Sequence, residues 1–477
     1  MKAPFSEYLT SIAPGLKELI TLLRGTYDYV SILATDSRGL QINVSQGSKS
    51  VSGQTLTTER GIVVRVHVGD HYSEYSLNRF DPKDPSSAYK KITEELQKQE
   101  ELLKITGSTS YKTGTLKDEP AELFVEMETE QLPETCDVAK LISFMTELSD
   151  KGMKDSEEAA DIRVRAQSTH ICKMFLSEHR DLRQSYVYSE GTIIPIVTDG
   201  KKTDFGYAGV SGICGPELFK GLTDCLPDGL KQALDSLHAE PIKPGEYTII
   251  TNPEVTGLIA HEAFGHGVEM DQFVKGRALG AQYIGKRVGS DLVTMHEGAL
   301  CAKDVTSYAF DDEGVLAGDV TEIENGILKT GICDSLAALR LKTEPTGNGK
   351  RENFEHKVYT RMTNTMFDSG ASKVEDMIRS VDYGFLLEGM ESGMEDPKHW
   401  GIQCIVKLGR EIKDGKLTGK VVAPVIMTGY VPDLLGSISM ISDDRECFGN
   451  GACGKGHKEW VKVADGGPYL KTVGRLG

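Results

Sequence analysis

The chain has 477 residues, 39% of them hydrophobic and 26% charged, the proportions of a soluble globular protein of roughly two or three domains. Its 54 basic against 71 acidic residues leave a net charge of −17, which argues against nucleic acid and anionic membrane surfaces as partners. Met1–Tyr8 lacks an apolar leader core, no 18-residue apolar run follows, and nine scattered cysteines show no disulfide-scaffold spacing, so a cytoplasmic location is expected.

Tyr27–Leu33, Leu40–Val44, Gly61–Val68 and Tyr72–Leu77 alternate apolar and polar residues between Gly- or Asp-rich turns, predicting an antiparallel sheet. Asp84-Pro85 opens a helix with Tyr89, Ile92, Leu96 and Leu103 on one face, expected to pack on that sheet. Ala139–Leu148 and Ser156–Phe175 carry mixed helix and strand signals and stay unassigned. Thr192–Val197 reads as a strand, and Pro216–Leu237 as a helix interrupted at Pro227. Pro241-Ile242-Lys243-Pro244-Gly245 is the clearest linker. It separates an N-terminal α+β region, 1–240, divisible at about 110 into subdomains 1–110 and 111–240, from a C-terminal domain, 241–477. In that domain Asn325-Gly326 and Asp414-Gly415 predict hairpins, and Val374, Met377, Ile378 and Val381 predict a helix. The expected class is α+β, the strand-rich C-terminal domain being a sandwich or a partly closed barrel with an inserted metal-binding helix.

That inserted helix carries the most informative stretch, His261-Glu262-Ala263-Phe264-Gly265-His266. It is one residue longer than the zinc-protease motif H-E-x-x-H. At 3.6 residues per turn, positions i and i+4 lie about 40° apart, whereas i and i+5 lie about 140° apart. Either the likeness is accidental, or the helix holds an inserted residue, a π-bulge, that returns both rings to one side; Gly265 would tolerate the distortion. Asn252-Pro253-Glu254 supplies an N-cap, a first-turn proline and an acidic first turn, and Val255, Leu258 and Ile259 give a buried face. Glu262, beside the first ligand, could take a proton from metal-bound water. A catalytic zinc normally takes three protein ligands. Glu269 and Asp271 suit supporting roles behind the ligands. The better third ligand is Cys453, among four glycines between Gly449 and Gly456, on what reads as a flexible loop where Lys455 would favour the thiolate. Gly449-x4-Gly454-Lys455 imitates a phosphate-binding loop, but Gly456 stands where a Ser or Thr is needed.

The chain resembles the TldD/PmbA family of metallopeptidases, in particular its metal-bearing TldD-type branch. The likeness rests on the run from His261 to Gly267 with Glu269 and Asp271, Phe310-Asp311-Asp312-Glu313-Gly314, Ile323-Glu324-Asn325-Gly326-Ile327-Leu328, Pro345-Thr346-Gly347-Asn348-Gly349, Arg361-Met362-Thr363-Asn364-Thr365 and Cys453-Gly454-Lys455. A weaker echo is Gly61-Ile62-Val63-Val64-Arg65. Met394–Trp400 departs from the family's pattern, and Asp465–Lys471 follows it loosely. The resemblance implies zinc on His261, His266 and Cys453, Glu262 as the catalytic carboxylate, a dimer enclosing its active sites, and action on short or unfolded peptides.

The leading expectation is therefore a zinc-dependent peptidase with one Zn2+ per chain and Glu262 as general base, binding extended peptide by strand addition. The alternatives are a non-catalytic peptide-binding subunit of a peptidase complex and a zinc hydrolase of non-peptide amides. Expected partners are peptide substrates and a second subunit, in a homodimer or a heterodimer with a metal-lacking paralogue. Arg361 and Asn364, in a short polar loop, are candidates for holding a peptide backbone. Asp311-Asp312-Glu313 reads as a turn rather than a hard-ion site. His457 reads as a surface residue, Cys447 is ambiguous, and the remaining histidines receive no role.

Overall fold

The computed structural model describes residues 1–107, 111–457 and 459–477. Ser6 caps helix α1 (Glu7–Arg24) by accepting from Leu9 N, and Leu9, Ile12, Leu16, Leu19, Ile20 and Leu23 bury one stripe of it. Pro14 and Gly15 in its middle hide this helix in the sequence. Gly15 is required for packing, since a Cβ there would lie 2.7 Å from Pro82 Cα. Strand β1 (Val30–Val44) runs unbroken where two strands were expected. It is followed by β2 (Lys49–Ser52), β3 (Arg60–Val68), β4 (His71–Leu77), helix α2 (Pro85–Thr106) and β5 (Ala121–Glu126). The unassigned segments resolve into helix α3 (Val138–Asp155) and strand β6 (Ala159–Ser177), which forms a long hairpin with β7 (Arg180–Thr198). Strands β8 (Thr203–Phe205) and β9 (Ala208–Gly212) and helix α4 (Leu222–Leu237) follow. Pro227 does not interrupt α4, as had been expected. It sits in the second turn, where the only hydrogen bond forgone is the one to Thr223, and the chain before Leu222 is a separate 3-10 turn, Pro216–Gly221.

These strands form one sheet in the order β4-β3-β1-β6-β7-β5, antiparallel except for the β5–β7 pair. Alternation along the strands decides what covers each face. Ile32, Ile42, Val164, Met174 and Ile193 point to one side and bury the apolar stripes of all four helices. Leu33, Ile171, Phe175, Leu182, Tyr186 and Tyr188 point to the other and pack against Val305, Tyr308 and Phe310 of the C-terminal half. Asp311-Asp312-Glu313 is indeed a turn, closed by Asp311 accepting from Glu313 N and Val315 N, but a buried one. Asp312 pairs with Lys173 and Glu313 with Arg65, so the turn fastens the second half onto the sheet.

The C-terminal half contains a five-stranded barrel of β10 (Gly245–Thr251), β11 (Tyr383–Asp396), β12 (Gly401–Lys413), β13 (Val425–Tyr430) and β14 (Leu470–Leu476). β10 pairs with β11 in parallel and with β14 antiparallel, and the short seam between β13 and β14 closes through Met427↔Leu476 and Thr428↔Arg475, with Ile426 and Gly477 exchanging backbone hydrogen bonds beside them. A six-stranded sheet lies beside the barrel, in the order Ile327–Leu328, Val320–Glu324, Met295–Glu297, Asn364–Phe367, Ala464–Gly467, Glu446–Phe448. Both predicted hairpins form, with Asn325-Gly326 and Asp414-Gly415 at positive φ. The mixed α+β class and the partly closed barrel match the expectation. No helix among the described residues is long and apolar enough to cross a membrane.

Helix α5 (Pro253–Leu258) lies between barrel and sheet. Val255, Leu258, Ile259, Ala263 and Phe264 share one core with Ile249, Leu387 and Val406 of the barrel and Met295, Ile323 and Phe367 of the sheet. The expected single buried face is thus an understatement: Thr256, Gly257 and Ala260 are buried as well. Two layers hold this helix, and the chain that continues from it, in a fixed position.

Candidate metal centre

Asn252 accepts from Val255 N at 3.0 Å and Pro253 takes the first helical position, so α5 starts where the capping residues place it. Regular winding ends at Leu258. Ile259–Phe264 forms a π-helical turn, in which Gly265 N reaches back five residues to Ala260 O. The turn then tightens into the 3-10 stretch Gly265–Val268. Residues five apart become neighbours in the wide turn, and the rings of His261 and His266 meet edge to face with centroids 5.1 Å apart. Gly265 has ordinary helical angles, φ −56 and ψ −46, so backbone strain does not explain it. Space does: a Cβ there would lie 2.2 Å from Met362 Sδ.

Cys453 reaches the same point from a β-hairpin made by Ala452–Lys455 and Glu459–Lys462, where it faces Val461. This corrects the expectation of a flexible loop. Its Sγ lies 3.4 Å from His266 Nε2, and the candidate ligand atoms of His261, His266 and Cys453 all lie within 4.8 Å of one another. Cys447 is not part of this group; it lies on Glu446–Phe448, paired to Gly466. His457 is exposed.

Electrostatics bind the three groups together. Burial would raise the Cys453 thiol, but the two imidazoles outweigh it and hold the thiol well below its ordinary value. Burial would lower the imidazoles, and the sulfur outweighs that in turn, drawing His261 up to about 9 and raising His266 strongly. Lys455 was expected to act on the thiol. Its ammonium instead binds Glu269 at 3.0 Å, Asp271 at 2.8 Å and the Thr360 carbonyl at 2.9 Å. Glu269 also accepts from His266 Nδ1 at 3.1 Å, which fixes the tautomer that leaves Nε2 facing Cys453. His261 Nδ1 is buried without a hydrogen-bond partner, its nearest carboxylate oxygen being Asp465 Oδ2 at 3.9 Å. Two imidazoles and a thiolate, one ring nitrogen unpartnered, are a donor set that fits a tetrahedral zinc with one position left open.

Glu262 carries its Oε2 3.9 Å from His266 Nε2 and faces a cleft of about 670 Å³ that all three groups line. Burial raises this carboxyl above its ordinary value against the lowering pull of His261 and His266.

Residues 244–471 match the family profile described as the PmbA/TldA metallopeptidase C-terminal domain. This stretch, a little under half of the chain, is similar to the C-terminal domain of the PmbA/TldD family. A metalloprotease of Methanocaldococcus jannaschii is 34% identical over 242 residues, 51% of this chain and 53% of that one. A zinc metalloprotease TldD homolog of Saccharolobus solfataricus is 29% identical over 245 residues, 51% of this chain and 54% of that one. Across such alignments the chain spans about half the length of the curated relatives it matches. One with a metalloprotease of Synechocystis runs over 97% of each chain at 26% identity. The crystal structure of TldE from Thermococcus kodakarensis shares the fold with a TM-score of 0.78 at 17% identity, covering 97% of this chain and 99% of that one.

Two residues that were expected to hold peptide lie elsewhere. Arg361 is buried, and its guanidinium donates to Cys453 O at 2.5 Å and Glu459 O at 3.0 Å, tying the two strands of the cysteine hairpin. Asn364 is buried too, accepting from Thr306 Oγ1 at 2.6 Å and donating to Gly298 O at 3.2 Å. Neither lines the metal cleft, although Arg361 Nε is buried without a hydrogen-bond partner.

Other residues at the cleft had no signal in the sequence. Gly393 on β11 passes so close to Glu262 that a Cβ would lie 2.6 Å from Glu262 Cγ. Glu395 lines the same cleft with both carboxylate oxygens buried and unpartnered, and burial pushes it up to about 9. Met394–Trp400 had been noted only for departing from the family's pattern.

Proposed function

We propose that this chain is a zinc-dependent peptidase in which His261, His266 and Cys453 hold one zinc per chain and Glu262 is the general base. The observation that carries this reading is the convergence of three soft donors with an unbonded carboxylate at the wall of an open cleft. Zinc bound there would polarise a scissile carbonyl and acidify water. Glu262 takes the proton of the attacking water and returns it to the leaving amine nitrogen. Glu269 keeps His266 in the required tautomer, Arg361 holds the Cys453 backbone in place, and Gly393 leaves room for the Glu262 side chain.

Strand β11 offers the peptide its track. Beyond Leu387, where β10 ends its pairing, Met390–Asp396 has a strand partner on one side only among the described residues. This stretch runs past Glu262 and supports binding of an extended chain by strand addition, which reads backbone more than side chains. Short or unfolded peptides are the substrates that such a track accepts. The chain acts within a dimer, with a second copy or a paralogue lacking the metal ligands. Nine free cysteines support a reducing, cytoplasmic setting.

The test is metal analysis of the purified chain together with cleavage of an unbiased peptide mixture. About one zinc per chain and cleavage abolished by a chelator are expected. A zinc-free chain with no turnover after zinc is added would contradict the reading.

A further inference from the structure

A second cavity, of about 480 Å³, opens beside the metal cleft, and Met390, Glu391, Ser392 and Gly451 line both. β11 carries an irregularity here: its register to β12 shifts between Met390 and Ser392, and Gly389 stands at φ 74. A bulge of this kind re-aims a strand at a neighbouring site. The cavity walls are aromatic, with Phe205 and Tyr207 coming from the N-terminal half and Phe448 from the C-terminal half.

The charged groups that line this cavity are paired among the described residues, with one exception. Lys407 Nζ bonds Asp204 at 2.8 Å and Glu391 at 3.1 Å, beneath the ring of Phe205. Gln232 Oε1 accepts from Tyr207 N at 2.8 Å, and Asn450 donates to Gly191 O at 3.3 Å and Val210 O at 3.0 Å. The exception is Glu254, in the first turn of α5, which has no ion pair among the described residues and is hydrogen-bonded by Asn252, the residue that caps the helix. The charges that act on it, Glu388, Glu446 and Asp465, are all negative. Burial, with these neighbours, holds the carboxyl up at about 7. Glu254 stands on α5, which runs directly into the π-helical turn carrying His261 seven residues later, so its place relative to the reaction centre is fixed.

We infer that this cavity is a side-chain subsite for a lysine or arginine of the bound peptide, with the aliphatic stem against Phe205, Tyr207 and Phe448 and the cationic head at Glu254. Aromatic walls favour a cation in addition to burying its stem. A carboxylate that lacks a cation is the charge such a head completes. The inference rests on the peptidase reading, since it assumes peptide along β11.

The experiment uses full-length protein and alanine-based decapeptides in which one Lys, norleucine or Glu is walked through every position. Equilibrium binding is measured on the Glu262→Gln protein, and cleavage on the protein with Glu262 intact. At one position Lys is expected to bind about tenfold or more tighter than norleucine, and Glu weakest. Glu254→Gln should shrink that ratio to within about threefold, while Glu254→Asp, which keeps the charge, should retain part of it. A flat profile, or a lysine preference that survives Glu254→Gln, overturns the subsite. Cleavage without any basic preference leaves the peptidase reading standing and removes the subsite. Lysine-selective binding without cleavage of any peptide keeps the subsite and removes the peptidase reading. No binding of any peptide overturns both.

Discussion

Cys453 Sγ and His266 Nε2 lie 3.4 Å apart although 187 residues separate them in the chain. The contact requires the π-helical turn after α5 and the hairpin carrying Cys453 to be docked together, so metal binding and folding are coupled here. Cys453→Ser is expected to lose most of the zinc, and Cys447→Ser to keep it, because Cys447 lies on a neighbouring strand outside the group. Metal content by mass spectrometry checks both, and equal zinc in Cys453→Ser and wild type would remove the cysteine from the site.

Arg361→Met should destabilise the protein without first affecting substrate affinity. Its guanidinium bonds two backbone carbonyls in the interior, and hydrogen bonds from a charged donor are worth roughly 1.5–3 kcal/mol. A lowered thermal midpoint and reduced zinc occupancy are the expected outcome. A rise in KM at unchanged stability would instead return Arg361 to the role of peptide contact.

Gly393→Ala tests the space around the general base. The added methyl would lie 2.6 Å from Glu262 Cγ and 2.8 Å from its Cβ, so the carboxylate must move. A displacement of this size costs on the order of 10–100-fold in kcat, and zinc content should stay near normal. Unchanged kcat would mean that the position of Glu262 is not critical.

Two carboxyls, Glu297 in the interior and the partly buried Glu74, contribute to the pH dependence of stability with opposite signs. Burial, outweighing hydrogen bonds from Thr363, Thr365 and Asn348, pushes Glu297 up to about 7. The folded state then holds a proton that the unfolded state has lost between the ordinary glutamate value and about 7, so stability rises as pH falls through that window. Glu74 has the opposite sign. Despite burial, Arg65 and Arg351 hold it down to about 2, so its contribution is present above the ordinary value and is lost as pH falls toward 2. Thermal midpoints of the metal-free protein should therefore climb from pH 8 to about 5 and drop below about 4. In Glu297→Gln the climb should flatten; an equally steep climb would assign it to other groups.

The readable part of this site was a spacing, and the unreadable part was burial. Two histidines five residues apart demand a wide turn if they are to face one point, and Ile259–Phe264 is such a turn. Lys455 lies two residues from the thiol in the sequence, yet its charge goes to Glu269 and Asp271, which only the folded chain brings within reach. Arg361 and Asn364 read as surface polar residues because a guanidinium or amide satisfied by interior carbonyls has no one-dimensional signature. Helix α1 escaped for the converse reason: its period is clear, but Pro14-Gly15 looks like a break until Pro82 is seen packed against it. Hairpins at Asn325-Gly326 and Asp414-Gly415 were legible because positive φ at both turn residues is a local requirement.

The central claim is that Glu262 moves the proton during peptide hydrolysis. Glu262→Gln preserves the size of the side chain that packs against Gly393 and leaves His261, His266 and Cys453 untouched. The measurement is the cleavage rate of one peptide by wild type and Glu262→Gln, with zinc content and peptide affinity determined on the same samples. The expected result is near-normal zinc and affinity with hydrolysis reduced on the order of 10²–10⁴-fold. Cleavage by Glu262→Gln at the wild-type rate would contradict the account.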